Sequence, residues 1–544
     1  MTKQEQQKSL PKTKGKLHFA SRIVWLAWTG FLLLLLAAGL FLQAPWKVTA
    51  LVSVFLLAAT ILPGVYRKWF WAVSGCMAAA VIIWVFLPDD NKGWRPYTFD
   101  KELAALQAKY TIPDEENAAA IYNELLQNYD PNSLLGDLPN SELAKLPMRK
   151  PWLSNEHPEI AEWLKEHRKT INTLLNASAI EQCRFPISFD ATNMNGLIYR
   201  LGMMKKWAHL LISSANNDMA EGRTHQAFEK YIAALRIGKH QQQQPSLIDF
   251  LVGSSIETFS TNQLDRFIVE GDATEERLSI TEQALAEIKH DWNSDLPKVL
   301  DYEKLLAKNF WGTFYSVNPE GETRLNPGAL KWESRPYLPE NRKNDPVETY
   351  WQERLMKASI VLRWFYMPST PQKAGAIIDT VYEKYYPSYN RQKRPKGFSI
   401  TSTKFNYRYM IEMQLYILEP FYHSTYRTYF TTLALQRGSR LIVALRRYKN
   451  KNGNWPGSLD EVKSPASEEI FVDPVNGGPF MYKLTDENFT LYSKGENNID
   501  DEGLQDERTG ADDLPIWSGE KILNRMRKQA NVKQNEYLHN RTER

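Results

Sequence analysis

The stretch from Glu496 to Asp513 holds eight acids, Glu496, Asp500, Asp501, Glu502, Asp506, Glu507, Asp512 and Asp513, against one base, Arg508. Carboxylates at that density repel one another, so the segment is either spread out in solvent or gathered by a cation. Hard oxygen donors on a flexible loop suit calcium, which takes about six to eight of them. An EF-hand is a poor match, because no Asp-x-Asp-x-Asp-Gly spacing with a glutamate at the twelfth position occurs. A second concentration is Glu156, His157, Glu159, Glu162, Glu166 and His167. On one helix Glu159, Glu162 and Glu166 share a face with His167 one step off, which fits a metal site or an ordinary solvated surface. His209, His225 and His240 are scattered and are expected at the surface or edges of a helical hairpin. Cys76 and Cys183 lack the paired spacing of a zinc site. No His-Glu-x-x-His, Gly-x-Ser-x-Gly or phosphate-cradling glycine loop is present.

The elements that must position these groups begin with three apolar runs, Ile23–Leu42, Val48–Tyr66 and Trp69–Leu87. Each approaches the roughly 20 residues that a helix needs to cross a bilayer, so three transmembrane helices are expected over residues 22–88. Lys3, Lys8, Lys12, Lys14, Lys16 and Arg22 against Glu5 alone place the tail, residues 1–21, in the cytoplasm, and Arg67-Lys68 after the second run agrees. Trp25, Trp28, Trp46, Trp69, Trp71 and Trp84 suit interface anchors. A cleaved signal peptide fits less well: the first run is too long, and Leu40-Phe41-Leu42-Gln43 offers no small-x-small cleavage site. Everything from about Asp89 is then extracytoplasmic. Cys76 would lie inside a span, so an oxidising compartment adds no disulfide staple.

The net charge of +4 is dispersed, which gives no footprint of a nucleic-acid binder. The densest basic run, Arg391 to Lys396, reads as a solvated loop or a polyanion contact. Residues 89–435 are expected to be all α, with helices near 99–110, from Pro113 to Tyr129, and over Glu159–Asn176, Leu247–Val269, Thr274–Asn309, Glu348–Tyr366 and Pro371–Tyr386. A long helix is expected over Tyr407–Asn450, kinked near Pro420. Ala215, Gly222, Ala227, Tyr231 and Ala234 space Asn195–His240 like one tetratricopeptide repeat, or like an ordinary helix pair. Ser316–Pro346 is a Pro- and Gly-rich loop, and no strand is expected before residue 470.

At the carboxy-terminal end, Asn452-Gly453-Asn454-Trp455-Pro456 turns after a helix. Asp473 to Tyr482, Phe489-Thr490-Leu491-Tyr492-Ser493-Lys494-Gly495 and Asp512-Asp513-Leu514-Pro515-Ile516-Trp517 follow. Pro479–Leu484 and Asn488–Ser493 read as a hairpin. In that order, residues 436–517 resemble the globular part of the major pseudopilins of type II secretion, a helix followed by a small antiparallel sheet. The resemblance implies a calcium ion in the acidic loop, held by backbone oxygens near Leu491 and Ser493, by Asn497, and by Asp500, Asp501, Asp512 and Asp513. At the place of Asn497 the family usually carries an aspartate. The polar tail, 518–544, adds nothing to the likeness.

The whole chain resembles uncharacterised bacterial envelope proteins anchored in the inner membrane, with the bulk of the chain periplasmic. The leading expectation is a non-enzymatic binding or scaffold protein whose partner is another envelope protein, with a calcium-stabilised end. Two alternatives stand beside it: an extracytoplasmic hydrolase with its site in the helical domain, and an accessory component of a type II secretion machine.

Overall fold

The computed structural model describes residues 93–128, 146–187, 191–288, 291–325, 367–389, 407–463, 465–485, 488–506 and 509–518. In chain order its elements are β1 (Arg95–Pro96), α1 (Asp100–Tyr110), α2 (Ala118–Asn128), α3 (Leu146–Arg149), α4 (Pro158–Glu166), α5 (Arg168–Ala179), α6 (Ala191–Ala220), α7 (Thr224–Gln242), α8 (Leu247–Glu270), α9 (Glu275–Glu287) and α10 (Trp292–Gly312). Then come β2 (Tyr315–Val317), β3 (Thr323–Leu325), α11 (Pro371–Tyr389), α12 (Tyr407–Asn452), β4 (Met481–Leu484), β5 (Phe489–Ser493), β6 (Gln505–Asp506), β7 (Ala511–Asp512) and β8 (Leu514–Trp517).

The fold is mainly helical with small antiparallel sheets, and this corrects the expected architecture. Among the described residues no helix is long and apolar enough to cross a membrane. Even the 46-residue α12 is interrupted throughout by arginines and other polar side chains. The three spans expected over residues 22–88 lie outside the described residues and are not supported. The expected helix Glu348–Tyr366, the basic run 391–396 and most of the Pro- and Gly-rich loop also lie outside them.

The chain divides into two units. The first comprises, among the described residues, 93–100, 304–325, 367–388 and 407–419. It holds the sheet β1-β2-β3, which corrects the expectation of no strand before residue 470. Strands of two and three residues are too short to show a period-two alternation. The pairing of β2 with β3 rests instead on a tight turn: Gly321, at φ +87°, lets Asn318 accept from Gly321 N at 3.0 Å and its side chain accept from Glu322 N at 2.8 Å. Beneath the sheet Trp311, Tyr315, Ile378, Tyr407 and Ile411 form the core. The Trp311 indole donates to Gln414 (2.7 Å) and the Tyr315 hydroxyl to the Pro368 carbonyl (2.8 Å). Phe99 N donates to Asn309 Oδ1 at 3.0 Å.

The second unit takes 101–303, 389 and 420–518 among the described residues. Its centre is the hairpin of α6 and α7, turned at Gly222 (φ +77°), with α8 packed against α7. Ala215, Ala227 and Ala234 are fully buried, and Tyr231, between the helices, donates to Asn216 Oδ1 at 2.6 Å. The crossing of α7 on α8 is made by glycines. A Cβ on Gly253 would lie 2.7 Å from Gln242 N, and one on Gly238 would lie 2.9 Å from Glu257 N. Buried Asp218 anchors the turn, accepting from Arg223 Nε at 2.7 Å and pairing with Lys230.

Two local devices explain otherwise odd sequence. Asn117, in the phrase Glu116-Asn117-Ala118-Ala119, accepts from Ala119 N (3.1 Å) and Arg184 N (2.8 Å), so it caps α2 and ties it to residues 182–184. The run Gln241–Gln244 supplies side-chain amides where a neighbouring strand would supply backbone. Gln243 Oε1 accepts from Cys183 N (2.7 Å), Gln244 Oε1 accepts from Phe185 N (3.0 Å), and Gln244 Nε2 donates to the Cys183 carbonyl (2.8 Å). The extended segment there is thereby satisfied without a sheet.

The carboxy-terminal half of α12 shares one core with these helices. Gln436 donates to the carbonyl of Leu285 (2.6 Å), Arg446 to Val269 (2.9 Å) and Asn450 to Ala273 (2.8 Å). The sheet β4-β5-β8 lies on the same helix, so close at Gly438 that a Cβ would sit 2.5 Å from Ile516 Cδ1.

Candidate metal centre

β5 is the middle strand of its sheet and is buried along its whole length. Leu491 sits mid-strand opposite Tyr482 and Trp517, and Ser493 opposite Leu514. Past Ser493 the chain turns at Gly495, φ +64°, where Ser493 Oγ accepts from Gly495 N at 3.0 Å. The Asp512 carboxylate lies so tightly on Gly495 that any Cβ would overlap it, which is why glycine follows the Tyr492-Ser493-Lys494 phrase. Asp473, fully buried, shapes the adjoining turn: it accepts from Val475 N (2.9 Å) and Asn476 Nδ2 (2.6 Å), and Asn476 also donates to the Gly495 carbonyl (3.1 Å).

Backbone amides orient the carboxylates. Asp512 Oδ2 accepts from Glu496 N (2.9 Å) and Asn497 N (3.2 Å), and Asp513 Oδ2 from Asp501 N (3.0 Å) and Gly503 N (2.8 Å). Each then keeps one oxygen free. Asp501 Oδ2, Asp512 Oδ1 and Asp513 Oδ1 are buried without a hydrogen-bond partner, and the three side chains present oxygens within 4.8 Å of one another. Two full charges at that separation repel by about 3 kcal/mol at an effective dielectric of 20. Burial pushes the Asp513 carboxyl up to about 6; the Gly503 and Asp501 amides oppose the shift, and the charges of Asp501 and Asp500 add to it. Among the described residues this triad is the one group of three acid, imidazole or thiol side chains close enough to share an ion.

Of the seven residues singled out in the sequence, the fold thus converges Asp501, Asp512 and Asp513. Asn497 closes the loop instead: its Oδ1 accepts from Ile499 N (2.6 Å) and its Nδ2 donates to the Gly510 carbonyl (3.2 Å). Asp500 turns toward the hairpin, accepting from the Tyr492 hydroxyl (2.7 Å) and Glu502 N (3.0 Å) and pairing with Lys483 (3.3 Å). Asp473 escaped the sequence reading because a lone Asp-Pro before a turn carries no sign of burial.

The second acidic and imidazole concentration does not assemble. His167 breaks the expected helix into α4 and α5, its Nδ1 lies 2.8 Å from the Trp163 carbonyl, and its ring packs on Trp163 at 4.6 Å. Glu156 accepts from Leu153 N, and Glu162 pairs with Lys165. His225 is exposed beside Glu229, as placed from sequence. His240 is not: it is 1% exposed, accepting at Nδ1 from the Tyr122 hydroxyl (3.0 Å) and donating from Nε2 to the Ile180 carbonyl (2.7 Å). Tyr122 itself stacks against Trp207 at 5.8 Å, so the histidine belongs to an aromatic core. Burial drives its pKa down to about 4 and keeps it neutral. Buried Cys183 has its thiol pushed up by the same cause, which makes it inert.

No protein-family model, no curated protein and no solved structure matches this chain.

Proposed function

We propose that this is a non-enzymatic binding or scaffold protein of the bacterial envelope, built as a helical body with a pseudopilin-like end stabilised by calcium. The observation that carries the reading is the convergence of three buried, unpartnered carboxylate oxygens from Asp501, Asp512 and Asp513. Such an arrangement is costly without a cation and favourable with one. The helix-then-sheet order of α12, β4, β5 and β8 supports the pseudopilin part. Three carboxylates on a loop suit the weaker, extracellular class of calcium site, with Kd on the order of 10⁻⁴–10⁻³ M. Magnesium, which demands near-ideal octahedral geometry and keeps its water, suits them less.

The test is the melting temperature of the full-length protein with millimolar calcium, with magnesium and with chelator, beside an Asp501→Asn/Asp512→Asn variant. Calcium should raise it by several degrees, magnesium by less, and the variant should respond to neither. An equal melting temperature under all three conditions would refute the site.

A further inference from the structure

A cleft of about 580 Å³ opens between α8 and the part of α12 around Arg427. That volume lies within the roughly 300–1,000 Å³ of small-molecule sites. Leu251 and the Phe259 ring give it an apolar surface, and Ser254, Thr258, Asn262 and Thr431 line it with polar groups. Three observations select an occupant.

Ser254 is 1% exposed, and its Oγ has no hydrogen-bond partner. A serine inside a helix can give its proton to the carbonyl one turn back, and a buried hydroxyl that makes no bond costs about 1–3 kcal/mol. Ser254 does not make that bond to the helix carbonyl, so its proton is left for another oxygen acceptor. Arg427 is the charged residue of the lining, which includes no acid. Glu496 approaches its Nε at 3.6 Å, beyond hydrogen-bond length, and the Arg427 side chain is 54% exposed. Finally, His209 packs its ring on Phe259 at 5.1 Å, and burial holds its pKa down to about 4, so it adds no second positive charge. A single guanidinium among hydroxyls, next to an aromatic ring, matches one carboxylate on an apolar body better than a doubly charged phosphate.

We propose that this cleft binds a monocarboxylate carrying an apolar side group, with Arg427 holding the carboxylate and Ser254 donating to an oxygen of the same ligand. The carboxylate is either that of a free acid or the C-terminus of a peptide. Glu496 acts as the internal competitor for Arg427.

The experiment is calorimetric titration of the full-length protein with N-acetylphenylalanine, with its amide, and with an acetylated tetrapeptide ending in phenylalanine. The acid should bind at least tenfold more tightly than the amide. Arg427→Met and Ser254→Ala should each weaken it about tenfold, and Arg427→Lys should fall between. Glu496→Gln should tighten it severalfold. Ser254→Ala removes an unsatisfied hydroxyl, so its melting temperature should be unchanged or higher, which separates lost binding from lost folding. Tighter binding of the tetrapeptide would assign the site to a peptide C-terminus, and weaker binding to a free acid. Equal binding of acid and amide, no binding at millimolar concentration, or wild-type affinity in both the Arg427→Met and Ser254→Ala variants would overturn the proposal.

Discussion

Replacing Asp265 with asparagine should make the protein more stable, and increasingly so as the pH rises. Asp265 on α8 is 1% exposed, and its Oδ2 lies 2.7 Å from Ser439 Oγ on α12. Ser439 Oγ is also 3.0 Å from the Leu435 carbonyl. A hydroxyl has one proton and cannot donate to both. The pattern closes if Asp265 is protonated, donating to Ser439, which in turn donates to Leu435. Burial, opposed only by the Ser439 bond, pushes the Asp265 carboxyl up to about 8. The unfolded chain ionises near 3.9, so keeping the native proton costs stability progressively from about pH 4 to pH 8 and by a constant amount above that. At pH 7 the cost is about 4 kcal/mol. Asparagine escapes it and keeps a donor for Ser439, but brings a second N–H that lacks a partner, at about 1 kcal/mol. The net gain is about 3 kcal/mol, or a rise of roughly 6–9 °C in melting temperature for a unit of this size. The assay is urea or thermal unfolding of both proteins from pH 4.5 to pH 9. The gap should widen with pH, level off above pH 8 and close or reverse near pH 4.5. A variant less stable than the parent throughout that range would mean that Asp265 is ionised and stabilising, and the proton assignment would fall.

Two further substitutions test the helical body. Gly253→Ala should drive a methyl into Gln242 at the crossing of α7 and α8 and destabilise by about 1–3 kcal/mol, read as a lowered urea midpoint with an unchanged slope; a neutral result would mean that the helices stand farther apart. Tyr122→Phe should leave His240 Nδ1 without its donor and cost about 1–2 kcal/mol, measured in the same way, and wild-type stability would show that the bond contributes nothing.

Much of the carboxy-terminal end was legible because its turns are written in residue types. Asn476-Gly477-Gly478 and Thr485 to Glu487 announce chain reversals in the sequence, and β4 and β5 pair as the expected hairpin. Which acids converge was not legible. Asp501, Asp512 and Asp513 differ from Asp500 only in the amides and cations that meet them, and those depend on left-handed backbone at Asn498 and Glu502 as well as at the glycines. Composition counts charges but does not aim them. The small sheet of the first unit was hidden for another reason: Arg95–Pro96 pairs with residues more than 200 positions away, and a two-residue strand has no pattern of its own. The role of the glutamine run, Gln241 to Gln244, is to replace a backbone, which no periodicity records.

The first unit is stitched from distant segments, and this has a consequence for synthesis. β1 and Phe99 are made well before their partners: Ser316 and Val317, Asn309 and Gly375 are added some 200 to 280 residues later. At roughly 5–20 residues per second, tens of seconds pass before the strand has anything to pair with. All of the helices from α2 to α9 are complete by then. The nascent chain therefore carries an unmatched strand and an unpacked aromatic ring through roughly 220 to 280 residues of its translation, a window in which residues 95–99 are open to wrong pairing.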